Sequence, residues 1–280
     1  MTDTPPAPTR RVFLIGAAAA FALANLDRAE AAPASRLIDE RWNAFGAGGD
    51  PEYGRWAAFL DRWVKLGEDG IARVDYGGAL AAGGRDEVLA FLDEMQAIDP
   101  TTLSRPAAMG YWLNLYNAAT VDLVLGDYPV DTIKKIKGGL FNTGPWKEMV
   151  LAVNDAPLSL DDVEHGILRP IWNDPRIHYA VNCASIGCPN LAPAPWSSTD
   201  LEARLDQAAR AYVNHPRGAR VRGGELRVSK IYDWFKEDFG DTDAGVIEHL
   251  RRYAEPDLAA ALAGVDRIDD TVYDWDLNDV

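Results

Sequence analysis

The most apolar stretch of the chain reads PAAMGYWLNLYNAATVDLVL and covers residues 106–125. In a helix built from this stretch, apolar side chains lie on nearly every face, which is typical of a helix in a protein interior. Gly126 follows the stretch and is typical of a helix end. The stretch therefore predicts a buried central helix around which the rest of the chain packs.

Periodic apolar residues and capping signals predict further helices on both sides of the central one. Ser159 with Asp162 resembles a capping box, and Thr199 with Glu202 forms a full one. These helices cover residues 51–66, 85–98, 130–137, 159–170, 199–214 and 230–239, and two more short helices follow residue 240.

Short segments between turn residues predict strands. They are residues 149–153 before a turn at Asn154 and Asp155, residues 177–182, a hairpin of 219–222 with 225–229, and an edge strand within 266–276. Because helices dominate, the predicted fold class is α+β: a mostly helical single domain with a small, mainly antiparallel sheet.

The composition excludes several classes of protein. There are 28 Lys and Arg residues against 43 Asp and Glu residues, which gives a net charge of −15 and a pI near 4.6. Such a surface repels phosphate backbones, so no nucleic-acid partner is expected. Apolar residues make up 48% of the chain, which is enough to form a core. Two cysteines are too few for a disulfide-stapled scaffold.

Residues 1–31 are typical of an export signal. Arg10 and Arg11 precede an apolar run from Val12 to Ala24, and residues 29–31 form an A-x-A cleavage site. The run is shorter than the roughly 20 residues that a membrane-spanning helix needs. The paired arginines favour the twin-arginine route, with an ordinary signal or an uncleaved anchor as the alternative. We therefore expect a soluble periplasmic or other extracytoplasmic protein that meets the membrane only during export.

The chain after the signal divides into three predicted regions. Residues 32–105 form an N-terminal helical region, residues 106–240 a core domain, and residues 241–280 C-terminal helices with an acidic tail. We expect the tail to act as a solubilising surface, because acidic residues dominate it.

Both cysteines lie in a loop, NCASIGCP at residues 182–189, that follows the predicted strand 177–182. On an extended strand His178 and Asn182 share one face, and Cys183 lies on the other. His178 and Cys183 therefore meet only if the chain turns at Asn182.

Glu164 lies inside the apolar stripe of the predicted helix 159–170. Its carboxylate must find buried partners or become protonated, because unpaired burial of a charge is costly. His165 lies on the side of Asp161, four residues away, and the two side chains are expected to approach each other.

Asn114 and Asn117 interrupt the otherwise apolar central helix. Buried amides need hydrogen-bond partners, which are often loop backbone groups. We expect the two side chains to hold the cysteine loop in place.

Three segments resemble motifs of one family. YWLNLYNA at 111–118 is similar to its aromatic-W-x-N-x-Y-N-A element, LSLDDVEHGILR at 158–169 to its LSLDDIEHGILR element, and DPRIHYAVNCASIGCP at 174–189 to its DPRIHFALNCASxGCP element. On these residues the chain resembles the domain of unknown function 547 family over roughly residues 106–214. Residues 229–240 resemble the segment that often follows that domain. The resemblance implies no reaction, since the family is named for lacking one.

The leading functional hypothesis is binding. Cys183 and Cys188 would form a disulfide after export and pin a loop that binds an unknown small molecule or peptide. The candidate binding residues are Asn114, Asn117, Asn182 and Ser185. No cofactor is predicted.

Two alternatives use the cysteines chemically, so whether the protein is an enzyme is left open. Cys183 would be the nucleophile of a hydrolase or acyltransferase, with His178 or His165 as base and Glu164 or Asp161 orienting the imidazole. Otherwise His165, His178, Cys183 and Cys188 would hold zinc, although Cys-x4-Cys is a wide spacing. A redox relay is a further alternative, although a Cys-x-x-Cys motif is absent.

The remaining functional residue types are predicted to be structural. His215 and His249 are expected at the surface, and Lys134, Lys135 and Lys137 on a solvated helix face. The nine tryptophans are expected to pack in the core rather than form a sugar platform.

Overall fold

The computed structural model describes Met1 and residues 33–137 and 144–280. The predicted export signal therefore lies outside the described residues, apart from Met1. Residues 33–280 form one compact unit. Within the described part of the chain, no helix combines the length and the apolar character needed to cross a membrane.

The fold is α+β and mostly helical, as predicted. The α-helices are α1 Gly54–Trp63, α2 Tyr76–Ala81, α3 Gly84–Gln96, α4 Arg105–Asp127, α5 Leu160–Val163, α6 Arg169–Trp172, α7 Leu201–Val213, α8 Ile231–Trp234, α9 Asp243–Tyr253 and α10 Pro256–Ala261. The 3-10 turns are Glu40–Asn43, Pro100–Thr102, Ile133–Lys135, Pro175–Tyr179 and Lys236–Phe239, and Glu164–Leu168 is a π-helical turn.

Within residues 33–137 and 144–280, the strands form three small sheets rather than one. The strands are β1 Val64–Leu66, β2 Ala72–Val74, β3 Leu151–Val153, β4 Ala156–Leu158, β5 Ala219–Arg222, β6 Glu225–Ser229 and β7 Asp270–Val272. β1 pairs with β2, β3 with β4 and β5 with β6, all antiparallel. β7 adds to β6 in parallel, which confirms the edge strand expected near the C-terminus. Both turn residues of the β3–β4 hairpin, Asn154 and Asp155, have a positive φ, which suits a tight turn.

Helix α4 is the centre of the main core, which confirms the prediction from residues 106–125. Nearly all its residues from Ala107 to Leu125 are buried. Trp112 packs edge-on against Trp42 at 5.3 Å between ring centroids. A second apolar cluster joins α7, the β5–β6 hairpin and α9, and includes Tyr179 and Tyr232.

Several predicted elements differ from the structure. Helix α1 begins at Gly54 instead of Pro51, and the chain from Val64 is extended because it pairs with β2. Residues 230–239 form α8 and a separate 3-10 turn, ended by Gly240 at φ +93°. The basic segment 130–137 contains only the 3-10 turn Ile133–Lys135.

The strand predicted over residues 177–182 is wrong. This segment begins as the 3-10 turn Pro175–Tyr179, capped by Asp174, whose carboxylate accepts a hydrogen bond from Arg176 N at 2.9 Å. A short apolar run is compatible with a buried strand or a buried helical turn, so its composition does not decide between them.

The capping box predicted at Thr199 is also wrong, because Asp200 is the N-cap of α7 and makes no side-chain cap bond. The Thr199 hydroxyl lies instead 2.8 Å from Ser197 Oγ.

His249 is half-buried rather than fully at the surface. It falls on the same helical stripe as Val246, Leu250 and Tyr253, and its Nε2 lies 2.8 Å from the Tyr179 hydroxyl. Burial lowers its pKa to about 4. His215 is half-buried, and its Nε2 lies 2.9 Å from the Asp69 carbonyl oxygen.

Candidate functional site

The site is built on a widened helical turn. Ser159 Oγ accepts a hydrogen bond from Asp162 N at 3.1 Å, and the Asp162 carboxylate accepts one from Ser159 N at 2.9 Å, which confirms the predicted capping box. After α5 the chain opens into the π-helical turn Glu164–Leu168, closed by a bond from Arg169 N to Glu164 O. Such turns occur frequently at functional sites.

An extended segment, residues 33–38, lies along this turn, and we name it the amino-terminal strap. Arg36 N donates to His165 O at 3.0 Å, and Ile38 N donates to Gly166 O at 3.1 Å. A Cβ on Gly166 would lie 2.6 Å from Ile38 Cγ2, so the close approach favours glycine there. The strap thus provides hydrogen-bond donors to two carbonyl groups of the turn.

Below the strap lies a buried polar cluster, made of Glu164, His165, Arg169, His178 and Asp238. Asp238 Oδ2 accepts hydrogen bonds from His178 Nε2 and Arg169 Nε, each at 2.6 Å. Arg169 also donates to Glu237 at 2.6 Å and to the Pro33 carbonyl of the strap at 2.8 Å. The guanidinium therefore joins the strap, the π turn and the segment after α8.

The charged groups of this cluster can be buried because they are paired with one another. Burial raises the pKa of Glu164, but His165, His178 and Arg169 outweigh burial and lower it to about 2. Burial lowers the pKa of His178, but the Asp238 carboxylate, which accepts a hydrogen bond from its Nε2, and the nearby Glu164 carboxylate outweigh burial and raise the pKa above its ordinary value. The predicted need of Glu164 for buried partners is met.

His165 is held as a neutral imidazole. Burial is the main cause that lowers its pKa to about 4. Arg169 Nη1 donates to His165 Nδ1 at 3.2 Å, and His165 Nε2 lies 3.7 Å from Asp161 Oδ1, so the expected approach to Asp161 is observed. Burial raises the pKa of Asp161 to about 6.

The two cysteines form a second group, the thiol pair. Their sulfur atoms lie 3.2 Å apart as free thiols, and Cys183 N donates to Cys188 Sγ at 3.1 Å. Cys183 Sγ also lies 3.0 Å from the Tyr273 hydroxyl and 3.3 Å from Ser185 Oγ. Cys188 is buried, whereas Cys183 is partly accessible.

The two thiols differ in acidity. Hydrogen bonds from Cys188, Ser185 and Tyr273 lower the pKa of Cys183 despite its burial. Burial and the neighbouring Cys183 raise the pKa of Cys188 well above its ordinary value. Burial also raises the pKa of Tyr273, so its hydroxyl stays protonated and can donate. Cys183 is therefore the thiolate-forming member of the pair.

The cysteine loop is held from the central helix by Asn117. Its Nδ2 donates to Ala180 O at 2.9 Å, and its Oδ1 accepts from Asn182 N at 2.8 Å. Asn114 clamps the backbone of Trp196 instead, at 2.8 and 2.9 Å. The expectation that both amides hold this loop is thus confirmed only for Asn117. The side-chain amides of Asn114 and Asn117 both hydrogen-bond to backbone groups, which favours a positioning role over ligand contact for these two residues.

Asn182 holds the loop from within. Its Oδ1 accepts from Ala184 N at 2.9 Å, and its Nδ2 donates to Pro189 O at 2.7 Å. Ala184 has φ +58°, a left-handed conformation that costs a non-glycine residue about 1–2 kcal/mol. Strain of this kind persists where surrounding contacts fix the backbone.

The C-terminal segment closes the loop from the other side, and we name residues 273–279 the C-terminal clamp. Ile186 N donates to Asp276 O and Gly187 N to Asp274 O, each at 2.8 Å. Asn278 is 1% exposed, and its N–H donates to Ala184 O at 3.2 Å. The predicted solubilising tail is therefore part of the site. The alternating sequence of the tail predicted a strand but did not predict which part of the chain the tail contacts.

The structure separates the predicted catalytic residues into the two groups. Among the described residues, Cys183 Sγ hydrogen-bonds to Cys188, Ser185 and Tyr273, and neither His165 nor His178 hydrogen-bonds to it. Glu164 is near enough for its charge to act on the pKa of Cys183. No three His, Cys, Asp or Glu side chains in the described ranges are arranged to hold a metal ion. The zinc hypothesis therefore has no support in the geometry.

Fold and site together define an α+β protein in which a thiol pair, one member of it partly accessible, lies near a buried carboxylate–imidazole–guanidinium cluster. Residues 100–213 match the model of the family described as "Protein of unknown function, DUF547", which confirms the resemblance over that part of the chain. No curated protein and no solved structure matches the chain. Asp238 and Tyr273, which the sequence analysis missed, lie outside the matched residues.

Proposed function

We propose that Cys183 and Cys188 are a redox-active pair that interconverts between a dithiol and a disulfide. The observation that supports this most is the 3.2 Å between the two sulfur atoms, in a loop fixed by Asn117, Asn182 and the C-terminal clamp. Because these contacts hold the backbone, the sulfurs need to move only slightly to reach bonding distance.

The asymmetry of the pair divides the roles. Cys183 is the more accessible thiol and has the lowered pKa, so it is the attacking sulfur. Cys188 is buried and less acidic, so it is the resolving sulfur. Thiol–disulfide exchange proceeds through the thiolate, so the cysteine with the lowered pKa attacks first and the other cysteine resolves the mixed disulfide.

The reaction balances with a low-molecular-weight disulfide as the oxidant. The Cys183 thiolate attacks one sulfur, a mixed disulfide forms and the first thiolate leaves. The Cys188 thiolate then attacks the Cys183 sulfur and releases the second thiol. Two protein thiols and one disulfide give one protein disulfide and two free thiols, and the reverse reaction reduces the protein.

The export signal proposed for residues 1–31 agrees with this function. An extracytoplasmic compartment lets a disulfide persist, and folding before export by the twin-arginine route would begin from the dithiol. In the disulfide form the Cys183–Cys188 bond pins the loop 183–188. The proposal is therefore compatible with the function predicted from the sequence, in which a disulfide-pinned loop binds a small molecule or peptide.

The test is equilibration of the purified protein in glutathione buffers of graded potential, followed by alkylation and intact mass. We expect a single transition from two alkyl groups to none. Cys188→Ser is expected to accumulate a glutathione adduct at Cys183, because the resolving thiol is gone. Cys183→Ser is expected to form little adduct, because Cys188 is buried.

Other results would overturn the proposal. Two free thiols in every buffer would exclude the redox pair and favour a nucleophilic cysteine instead. A disulfide that survives dithiothreitol in the folded protein would make it purely structural. Equal adduct formation by the two variants, each with a wild-type circular dichroism spectrum, would contradict the division of roles.

A further inference from the structure

A cleft of about 390 Å³ adjoins the thiol pair. Ile186 and Gly187, which lie between the two cysteines, form one side of it, and Tyr273 and Trp275 of the C-terminal clamp form another. The Tyr273 hydroxyl lies 3.0 Å from Cys183 Sγ. The Tyr273 side chain therefore lies both in the wall of the cleft and beside the reactive sulfur.

Arg217 places a positive charge in the wall of this cleft. Its Nη1 donates to Ile186 O at 2.7 Å and its Nη2 to Asn190 Oδ1 at 2.5 Å. Its Nε is buried and has no hydrogen-bond partner among the described residues. The side chain is half-buried, and this partial burial lowers the pKa of Arg217.

Arg217 forms no ion pair within the described ranges. The charge of Asp69 acts on it, but both Asp69 oxygens are taken by Arg73, at 2.7 and 2.9 Å. Asp274 also lines the cleft and is exposed, and its Oδ1 accepts from Asp276 N at 3.0 Å. A partly buried guanidinium with no carboxylate partner is costly, and an anionic ligand would offset the cost.

The opposite wall is aromatic. The Tyr273 and Trp275 rings lie 4.7 Å apart, and Trp234 packs on both at 4.8 and 5.5 Å. All three side chains are partly exposed, unlike the tryptophans of the core. A cleft with an aromatic wall and a guanidinium in its lining suits a small ligand with an aliphatic stem and a terminal carboxylate.

We propose that this cleft binds carboxylate-bearing low-molecular-weight disulfides or thiols as the redox partners of the pair. This inference rests on the proposed redox function. Arg217 binds the carboxylate, the Tyr273–Trp275 wall packs on the stem, and the ligand sulfur lies toward Cys183.

The test compares three disulfides of similar length that differ in terminal charge: 3,3′-dithiodipropionate (anionic), 2-hydroxyethyl disulfide (neutral) and cystamine (cationic). The measured quantity is the rate at which each oxidises the reduced protein. With a net charge of −15, long-range forces favour cystamine and disfavour the dianion. We expect the dianion nevertheless to react faster than the neutral disulfide.

Two variants test whether Arg217 causes the preference for the dianion. Arg217→Gln is expected to lower the ratio of the dianion rate to the neutral-disulfide rate about tenfold or more. Arg222→Gln removes the same charge from the exposed end of β5 and is expected to leave the ratio of the two rates unchanged.

Octanedioate, the sulfur-free analogue of the dianion, separates this inference from the redox function. We expect it to change tryptophan fluorescence in wild type but not in Arg217→Gln, whereas octane-1,8-diol has no effect. Binding of octanedioate without oxidation by any disulfide would overturn only the redox function. A faster neutral disulfide in wild type, or an equal loss of all rates in Arg217→Gln, would overturn the cleft proposal.

Discussion

Asp161 and Asp162 are neighbours in the first turn of α5, but their surroundings give them opposite effects on stability. Burial and the nearby Glu164 raise the pKa of Asp161 to about 6. Since this exceeds the unfolded value, ionisation of Asp161 opposes folding. Its favourable contribution is complete below about pH 4 and is lost as the pH rises through 6.

Asp161→Asn is therefore expected to raise the free energy of unfolding at pH 7 by about 1–3 kcal/mol. The gain is reduced by the lost charge at the helix N-terminus, worth about 0.3–1 kcal/mol. Urea unfolding at pH 7 and pH 3 measures it, and the difference from wild type should vanish at pH 3.

Asp162→Ala is the matched control in the same turn. It removes the capping box and is expected to lower the free energy of unfolding by about 1 kcal/mol at pH 7. A loss of stability in both variants would contradict the buried, uncompensated charge at Asp161.

Single residues were predictable where a local pattern carried the information. Glu164 interrupts an apolar stripe and lies 3.7 Å from His178 Nδ1, and Asn117 interrupts an apolar helix and hydrogen-bonds to the cysteine loop. Asp238 and Tyr273 were not predictable, because they meet His178 and Cys183 across 60 and 90 residues of sequence. Helical and strand periodicity reports which face is buried but not which distant side chain lies against it.

At the scale of elements, the approach of the cysteine loop to the C-terminal clamp depends on Gly187. A Cβ there would lie 2.7 Å from Asp274 N and 2.8 Å from Asp274 O. Both are backbone atoms, so the clamp must shift and the bond from Gly187 N to Asp274 O must lengthen.

Gly187→Ala is accordingly expected to destabilise the protein by about 1–3 kcal/mol and to change the alkylation rate of Cys183. Thermal unfolding and timed iodoacetamide labelling measure the two effects. Gly54→Ala is the control, because an added Cβ at Gly54 meets nothing within 4 Å in the first turn of α1. It is expected to be neutral or stabilising by up to about 1 kcal/mol, and equal stability of the two variants would argue against the close contact.

The elements themselves were predicted unevenly. The central helix and the β5–β6 hairpin were predicted correctly because each has an unambiguous pattern, an all-apolar surface or a two-glycine turn. Residues 177–182 were not, because a short apolar run fits several buried conformations. That error also changed the geometry of the site, since the strand model placed His178 opposite Cys183, whereas the 3-10 turn directs His178 to Asp238.

At the scale of the whole molecule, the residues that match the family model contain only part of the candidate site. Residues 100–213 include both cysteines and Glu164, but Asp238, Tyr273 and Asn278 come from beyond them. Large core side chains such as Trp56 and Phe91 precede them. The match therefore marks a segment of one folding unit.

A fragment of residues 100–213 is expected to lack a cooperative thermal transition, because it would expose the faces of α4 and α7 that the rest of the chain covers. Circular dichroism melting of this fragment, beside that of residues 33–280, provides the measurement. A sharp transition in the fragment with near-ultraviolet signal from its tryptophans would contradict this expectation.

In the π-helical turn at Glu164–Leu168 the bond from Arg169 N reaches back five residues to Glu164 O, one more than in an α-helix. Deleting one residue inside the turn would convert this bond into an ordinary α-helical bond and leave Arg169 close to its present place. The residues that remain in the turn would instead change position relative to the strap, which donates hydrogen bonds to the carbonyl groups of His165 and Gly166. The strap is thus matched to the length of this turn as well as to its residues, and a one-residue deletion should loosen the strap while Arg169 keeps its place.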